Sequence, residues 1–337
     1  MKGALLINLG SPDSTSTKDV KKYLNEFLMD ERVIDIPYLL RAILVKGIIL
    51  NTRPKKSAAA YRKIWWDEGS PLIILSERLH KKVAKKSNIP VELAMRYGNP
   101  SIKLGIEKLA SQGVKEIFLI PLYPQFAMAT TETIDVLAKK LAKTHFPEIK
   151  LTSLPAFYNK EDYISVLSNS IKTHLDINKP DHLLFSYHGV PERHIKKSDI
   201  TKSHCKIDGS CCNTPSKSHE FCYRHQCFQT TKNVAAFLNL KEGTYSTSFQ
   251  SRLGRDPWLQ PYTDKTIDDF PKNGIKNLAV VTPAFVSDCL ETLEEIGMEA
   301  NESFKENGGK IFTTIPCLND NDDWANTISK WINNWAK

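Results

Sequence analysis

The chain has 337 residues, 41% hydrophobic and 25% charged, with 46 Lys and Arg against 38 Asp and Glu for a formal charge of +8. That composition excludes a disordered or fibrous chain, and the length suits about two domains of ordinary size. The basic excess admits nucleic acid, an anionic membrane surface or an acidic small molecule as partner. However, Lys85-Lys86 and Lys139-Lys140 lie in helix-like stretches without stacking aromatics and read as solvated surface.

Met1-Lys2-Gly3 leads straight into a strand-like run, Ala4–Leu9, with no charged n-region, apolar core and cleavage site, so a cytoplasmic location is expected. A helix pattern follows at Lys18–Leu28. The longest apolar stretch, Ile36–Leu50, carries Arg41 and Lys46 and is too short to span a bilayer. Helices are expected at Leu72–Lys86, Ser101–Gln112 and Thr131–Thr144, between strands at Val91–Met95, Glu116–Pro121 and Lys150–Leu154. A second set of strands reads His182–Tyr187, Thr244–Phe249, Leu278–Thr282 and Lys310–Thr314. Apolar strands alternating with amphipathic helices indicate parallel sheets covered on both faces.

The two halves echo each other in order. Asn8-Leu9-Gly10-Ser11-Pro12 answers Tyr187-His188-Gly189-Val190-Pro191, Arg96-Tyr97-Gly98 answers Arg252-Leu253-Gly254, and Gly113 to Tyr123 answers Gly274 to Phe285. The expected fold is α/β: two similar Rossmann-like domains, each a four-stranded parallel sheet flanked by helices. The boundaries fall at 1–157 and 158–337, with the last helix a candidate to pack on the first domain. Ligands of open parallel sheets bind beyond the carboxyl ends of the strands, where all the echoed loops lie, and facing loops make an interdomain cleft.

Two segments there carry chemistry. His188, at the end of an apolar strand and before a Gly-Val-Pro turn, can bind a divalent metal or take a proton. Asp288, Glu291, Glu295 and Glu299 fall three or four apart and form one acidic stripe on a helix. On position alone, a strand-capping histidine and a solvated helix face are the plainer readings.

Together these segments resemble the ferrochelatase family. Ser186-Tyr187-His188-Gly189-Val190-Pro191 is similar to its catalytic histidine motif, and Pro283-Ala284-Phe285-Val286-Ser287-Asp288-Cys289-Leu290-Glu291-Thr292-Leu293-Glu294-Glu295 to its catalytic glutamate motif. Phe249-Gln250-Ser251-Arg252-Leu253-Gly254, Pro257-Trp258-Leu259, Asn8 to Pro12, Arg96-Tyr97-Gly98 and Tyr123-Pro124-Gln125 match further signatures in the same order. The resemblance implies a chelatase-type fold that inserts ferrous iron, as substrate, into protoporphyrin IX to form protohaem with release of two protons. His188 and Glu291 would flank the metal, with Asp288, Glu295 and Glu299 continuing an acidic path. Tyr97, Tyr123 and Trp258 are candidate walls for the porphyrin, and Arg252, with Arg41, Lys46 and Arg53, candidate partners for its carboxylates. Residues about 36–56 match the family's active-site lip, which implies peripheral membrane contact; a buried helix fits the same pattern. The sequence departs from the family at Cys289, where many members have His, and in the loop Ile64 to Pro71. It leaves the oligomeric state and the choice between protoporphyrin and coproporphyrin open.

Five of the seven cysteines, Cys205, Cys211, Cys212, Cys222 and Cys227, crowd into a polar insert at about 204–228. Four thiolates fit a structural zinc site or an iron–sulfur cluster. The resemblance implies a [2Fe–2S] cluster on Cys205, Cys212, Cys222 and Cys227, with Cys211 as the alternative ligand. Two rival functions are a related tetrapyrrole chelatase for cobalt or nickel, and a non-enzymatic Cys/His zinc protein binding nucleic acid. Against the second, no paired Cys-x-x-Cys knuckles and no basic–aromatic stripe are present, and no nucleic-acid partner is expected.

Overall fold

A computed structural model describes residues 1–252, 254 and 256–337; Leu253 of the Arg252 motif lies outside the described residues. Among the described residues eight strands run β1 (Lys2–Asn8), β2 (Val91–Met95), β3 (Glu116–Pro121), β4 (Lys150–Ser153), β5 (His182–His188), β6 (Tyr245–Gln250), β7 (Asn277–Val281) and β8 (Ile311–Thr314). They form two sheets of identical order, β2-β1-β3-β4 and β6-β5-β7-β8, with every pairing parallel. The sequence echoes are therefore equivalent strand ends of a doubled unit. The central strands β1 and β5 are buried along almost their whole length. That burial is why they read as continuous apolar runs rather than alternating ones.

Helix starts follow the capping residues. Ser16 accepts from the Asp19 N–H ahead of Thr17–Leu28, and Ser101 accepts from the Leu104 N–H ahead of Ile102–Ser111. The last helix, Asp322–Ala336, is capped by Asn321, which accepts from the Asp323 and Trp324 N–H groups. It crosses back to the first sheet. Trp335 stacks on Phe118 with centroids 5.0 Å apart, and Lys2 Nζ donates to the Trp335 carbonyl at 3.1 Å. Trp324 and Trp331 meet Phe157 and Tyr163 in an aromatic nest between the halves.

Between β1 and β2 the stretch expected to form a lip folds as a short helix Tyr38–Ala42, a π-helical segment Ile43–Ile49 and a helix Leu50–Ile64. It is not a buried helix throughout: Tyr38, Leu39, Leu40, Ile43 and Ile48 are each more than half exposed. Arg41 points the other way, is buried, and donates to the carbonyls of Ile34 and Ile36. It is thus a structural cation, not a free partner for a ligand carboxylate, while Lys46 and Arg53 are exposed.

Candidate functional site

The chain cannot leave β5 by any other residue than glycine at position 189. A Cβ there would stand 2.8 Å from the Ser251 carbonyl oxygen and 3.0 Å from that of Gln250. The Gly189 N–H instead donates to the Gln250 carbonyl at 2.6 Å. This close approach sets His188 at the carboxyl edge of the sheet, half-buried, with the Phe285 ring edge-on at 6.2 Å. The His188 Nδ1 lies 2.7 Å from the Gly189 carbonyl oxygen. A carbonyl can only accept, so Nδ1 carries the proton and Nε2 keeps the lone pair. Tyr223, from the helix Tyr223–Phe237, donates its hydroxyl to the His188 carbonyl at 2.8 Å. Neither Tyr223 nor Phe285 was marked by the sequence pattern as serving this histidine.

The neighbouring strand β7 leads through Phe285 to the acidic segment. Residues Glu291–Ala300 form a π-helix rather than an α-helix, so the stripe is wound wider than a 3.6-residue pattern implies. Glu291, half-buried, heads it. Tyr23, Tyr61 and Tyr123 lie around its carboxylate. Burial above all, with the Glu291 charge adding at each, pushes their hydroxyls well above the usual phenol range. Cys289 is raised in the same way, by burial first and then by Glu291. Glu295 accepts from the Ser251 hydroxyl at 2.5 Å, at the end of β6. Burial and then the Glu291 charge lift its pKa to about 7. Glu295 and Glu299 face a cavity of about 410 Å³ that Arg252, Tyr262, Asp264 and Asp268 also line.

One residue of the expected path stands elsewhere. Asp288 is buried and turned away, accepting from Asn319 Nδ2 at 2.6 Å, Thr292 Oγ1 at 2.9 Å and the Cys317 N–H at 3.3 Å. It anchors the acidic segment to the loop after β8. Glu294, absent from the expected path, is buried and pairs with Lys63 at 2.6 Å, tying the π-helix to the first domain.

Among the expected porphyrin contacts, Trp258 is half-buried and packs beside Gly189. Tyr123 is buried and donates to Asn8 Oδ1 at 2.7 Å. Tyr97 is wholly buried, its hydroxyl donated to Asp30 at 3.0 Å; it backs the first-domain loops rather than facing a gap. Arg252 is exposed but forked onto Asp264, at 3.2 and 2.9 Å, so a ligand carboxylate would have to displace that partner. Tyr23 and Tyr61 are the phenols that periodicity missed. Both sit on amphipathic helices where an inward tyrosine reads as core.

The cysteine insert is organised by Asp199. Its carboxylate accepts from Ser218 Oγ, Thr201 and the N–H groups of His204 and Cys205. Burial would raise its pKa, but those hydrogen bonds outweigh burial and hold it well below the usual carboxylate range. Cys211, Cys212, Cys222 and Cys227 are buried and Cys205 partly so. Burial first, and then the neighbouring thiols, lifts Cys205 to about 11 and Cys222 to about 12. Arg224, buried, donates to the carbonyls of Lys206 and Ile207 and lies 3.6 Å from Cys211 Sγ, with its Nε unpartnered. Among the described residues no three ligand-type side chains converge on one point.

Comparison with known proteins fits this geometry. Among solved structures the chain resembles SirB from Bacillus subtilis with Fe3+, at TM-score 0.51 and 11% identity over 98% of this chain and 93% of that one. So distant a likeness speaks for the fold alone, a doubled parallel sheet flanked by helices. The profile described as Ferrochelatase matches residues 1–335. A curated ferrochelatase of Pseudomonas syringae pv. tomato is 48% identical over 97% of this chain and 96% of its own length, and one of Pseudomonas fluorescens Pf0-1 is 48% identical over 96% and 95%. The chain belongs to the ferrochelatase family. As a member it is a metal chelatase, a lyase of haem synthesis, and the readings as a cobalt or nickel chelatase and as a nucleic-acid-binding zinc protein fall away.

Proposed function

We propose that the chain inserts ferrous iron into protoporphyrin IX, with His188 as the base that receives the inner N–H protons and Glu291 as the carboxylate that shares the metal. The supporting observation is the His188 ring itself, whose Nδ1–H is engaged by the Gly189 carbonyl so that Nε2 is left as base. Insertion replaces two N–H bonds by iron–nitrogen bonds and releases two protons. Imidazole and carboxylate suit an iron in transit because they bind it without the hold of several thiolates. Glu295, with its pKa near neutrality, can take a proton from the Glu291 side and give it up to the cavity beyond. His188→Ala is expected to lower anaerobic iron insertion by at least about a hundredfold while porphyrin still quenches tryptophan fluorescence. Near-normal turnover would remove His188 from the mechanism.

The insert fits a [2Fe–2S] cluster. Cys222 lies near Cys205 and Cys212, and Cys227 near Cys222 and Cys212, whereas Cys211, beside Cys205 and Cys212, already exchanges hydrogen bonds with the Lys206 backbone. This favours Cys205, Cys212, Cys222 and Cys227 as the holding set. A binuclear centre draws two thiolates to each iron and does not require three donors to meet. Its four thiolates and two sulfides leave it anionic when oxidised, which suits a buried guanidinium: Arg224 has no carboxylate partner among the described residues. Such a cluster would supply one-electron redox chemistry and cross-link the insert. Cys222→Ser is expected to bleach the visible absorption of anaerobically purified protein; an unchanged spectrum would refute the set.

The outward lip residues support contact with a membrane surface by an otherwise cytoplasmic protein. No helix among the described residues is long and apolar enough to cross a membrane.

A further inference from the structure

Three histidines of the insert lie outside everything assigned so far. His204 Nε2 and His219 Nε2 are 3.3 Å apart, and both lie against the Cys211 carbonyl oxygen, at 3.1 and 3.2 Å. Three donors thus form a nearly equilateral triangle. Ordinary hydrogen bonding accounts for it poorly. Two N–H groups sharing that oxygen would approach it only about 60° apart and press their hydrogens together, whereas carbonyl lone pairs diverge more widely. Two imidazole nitrogens bound to one ion at ~2.0–2.1 Å with a tetrahedral angle are about 3.3 Å apart, which is the observed edge.

The surroundings hold the rings in that pose. His225 stacks on His219 with centroids 3.5 Å apart and planes 11° apart. Its Nδ1–H donates to the next carbonyl, that of Cys212, at 2.8 Å. The backbone N–H of His204 donates to Asp199 at 2.9 Å, which fixes the main chain that carries the ring. His204 and His219 are both partly exposed, so an ion has a way in.

We propose that His204 Nε2, His219 Nε2 and the Cys211 carbonyl bind one divalent first-row transition ion, with water completing its shell. The site is separate from the thiolate set and does not rest on the presence of a cluster. Each neutral imidazole binds through Nε2 as its Nδ1–H tautomer. Two nitrogens and one oxygen suit Fe2+, Co2+ or Zn2+ and make a modest, exchangeable site.

The test is an anaerobic Co2+ titration of the full chain in a His188→Ala background, which removes the catalytic imidazole. One Co2+ equivalent is expected with d–d bands and no thiolate-to-cobalt charge transfer. Its affinity should fall at least about tenfold in His204→Ala and again in His219→Ala, with the circular dichroism unchanged. Should His219→Ala disturb the fold, His219→Asn and the half-exposed His204→Ala decide. An equivalent that survives both histidine changes, or that carries thiolate charge transfer, overturns the proposal.

Discussion

Glu295 is a carboxyl with an unusual working range. Unfolded, a glutamate takes its proton only below about pH 4.3; here burial and Glu291 raise that point to about 7. Between the two values the folded chain holds a proton that the unfolded chain does not, so acidifying from above pH 7 toward pH 5 stabilises the fold through this group. Above pH 7 the penalty of ionising it is fully present. Glu295→Gln is expected to flatten the rise in urea midpoint between about pH 8 and pH 5, and a slope identical to the parent's would show that Glu295 titrates normally. Several residue roles were not legible beforehand, for a common reason. Asp288 finds its partner Asn319 beyond another strand and helix, and Arg252 finds Asp264 on a separate helix. A stripe or a lone cation in a sequence does not say which distant side chain already satisfies it. The place of His188 at a strand end was legible because an apolar run followed by glycine and proline is a local feature, whereas the role expected of it came only with the family resemblance.

Elements were read more fully than residues. All eight strands fall within a residue or two of their expected places, since a strand buried on both faces writes itself as an apolar run. The π-helical windings at Ile43–Ile49 and Glu291–Ala300 left no such mark. Their side chains satisfy a helical pattern, and the i→i+5 bonding depends on the packing around them. In the lip this winding accompanies an outward apolar set, Leu39 and Leu40 foremost, with Lys46, Lys55 and Lys56 exposed nearby. That pairing of apolar side chains with base suits an anionic lipid surface. Leu39→Glu with Leu40→Glu is expected to lower co-sedimentation with phosphatidylglycerol vesicles about tenfold or more while solution turnover of a soluble porphyrin persists. Undiminished sedimentation would mean that the lip faces something else.

For the whole molecule, the two sheets are joined less by their linker than by the helix Asp322–Ala336. Trp324 is wholly buried among Phe157, Tyr163 and Trp331. Trp324→Ala is expected to cost about 3–5 kcal/mol and to keep a single unfolding transition, read by urea titration with both far-UV dichroism and fluorescence. Two separated transitions would show that the halves are stable without this nest. The doubled architecture itself was legible from repeated motifs. That both halves share the order 2-1-3-4 follows once each repeats the same strand succession.

Lys2 and Trp335 touch although 333 positions separate them in the sequence, so the helix Asp322–Ala336 closes onto the strand that opens the first sheet. A chain lacking that helix would therefore leave Phe118 without its stacking ring, although Leu79 and Val83 still pack on the same face of the first sheet.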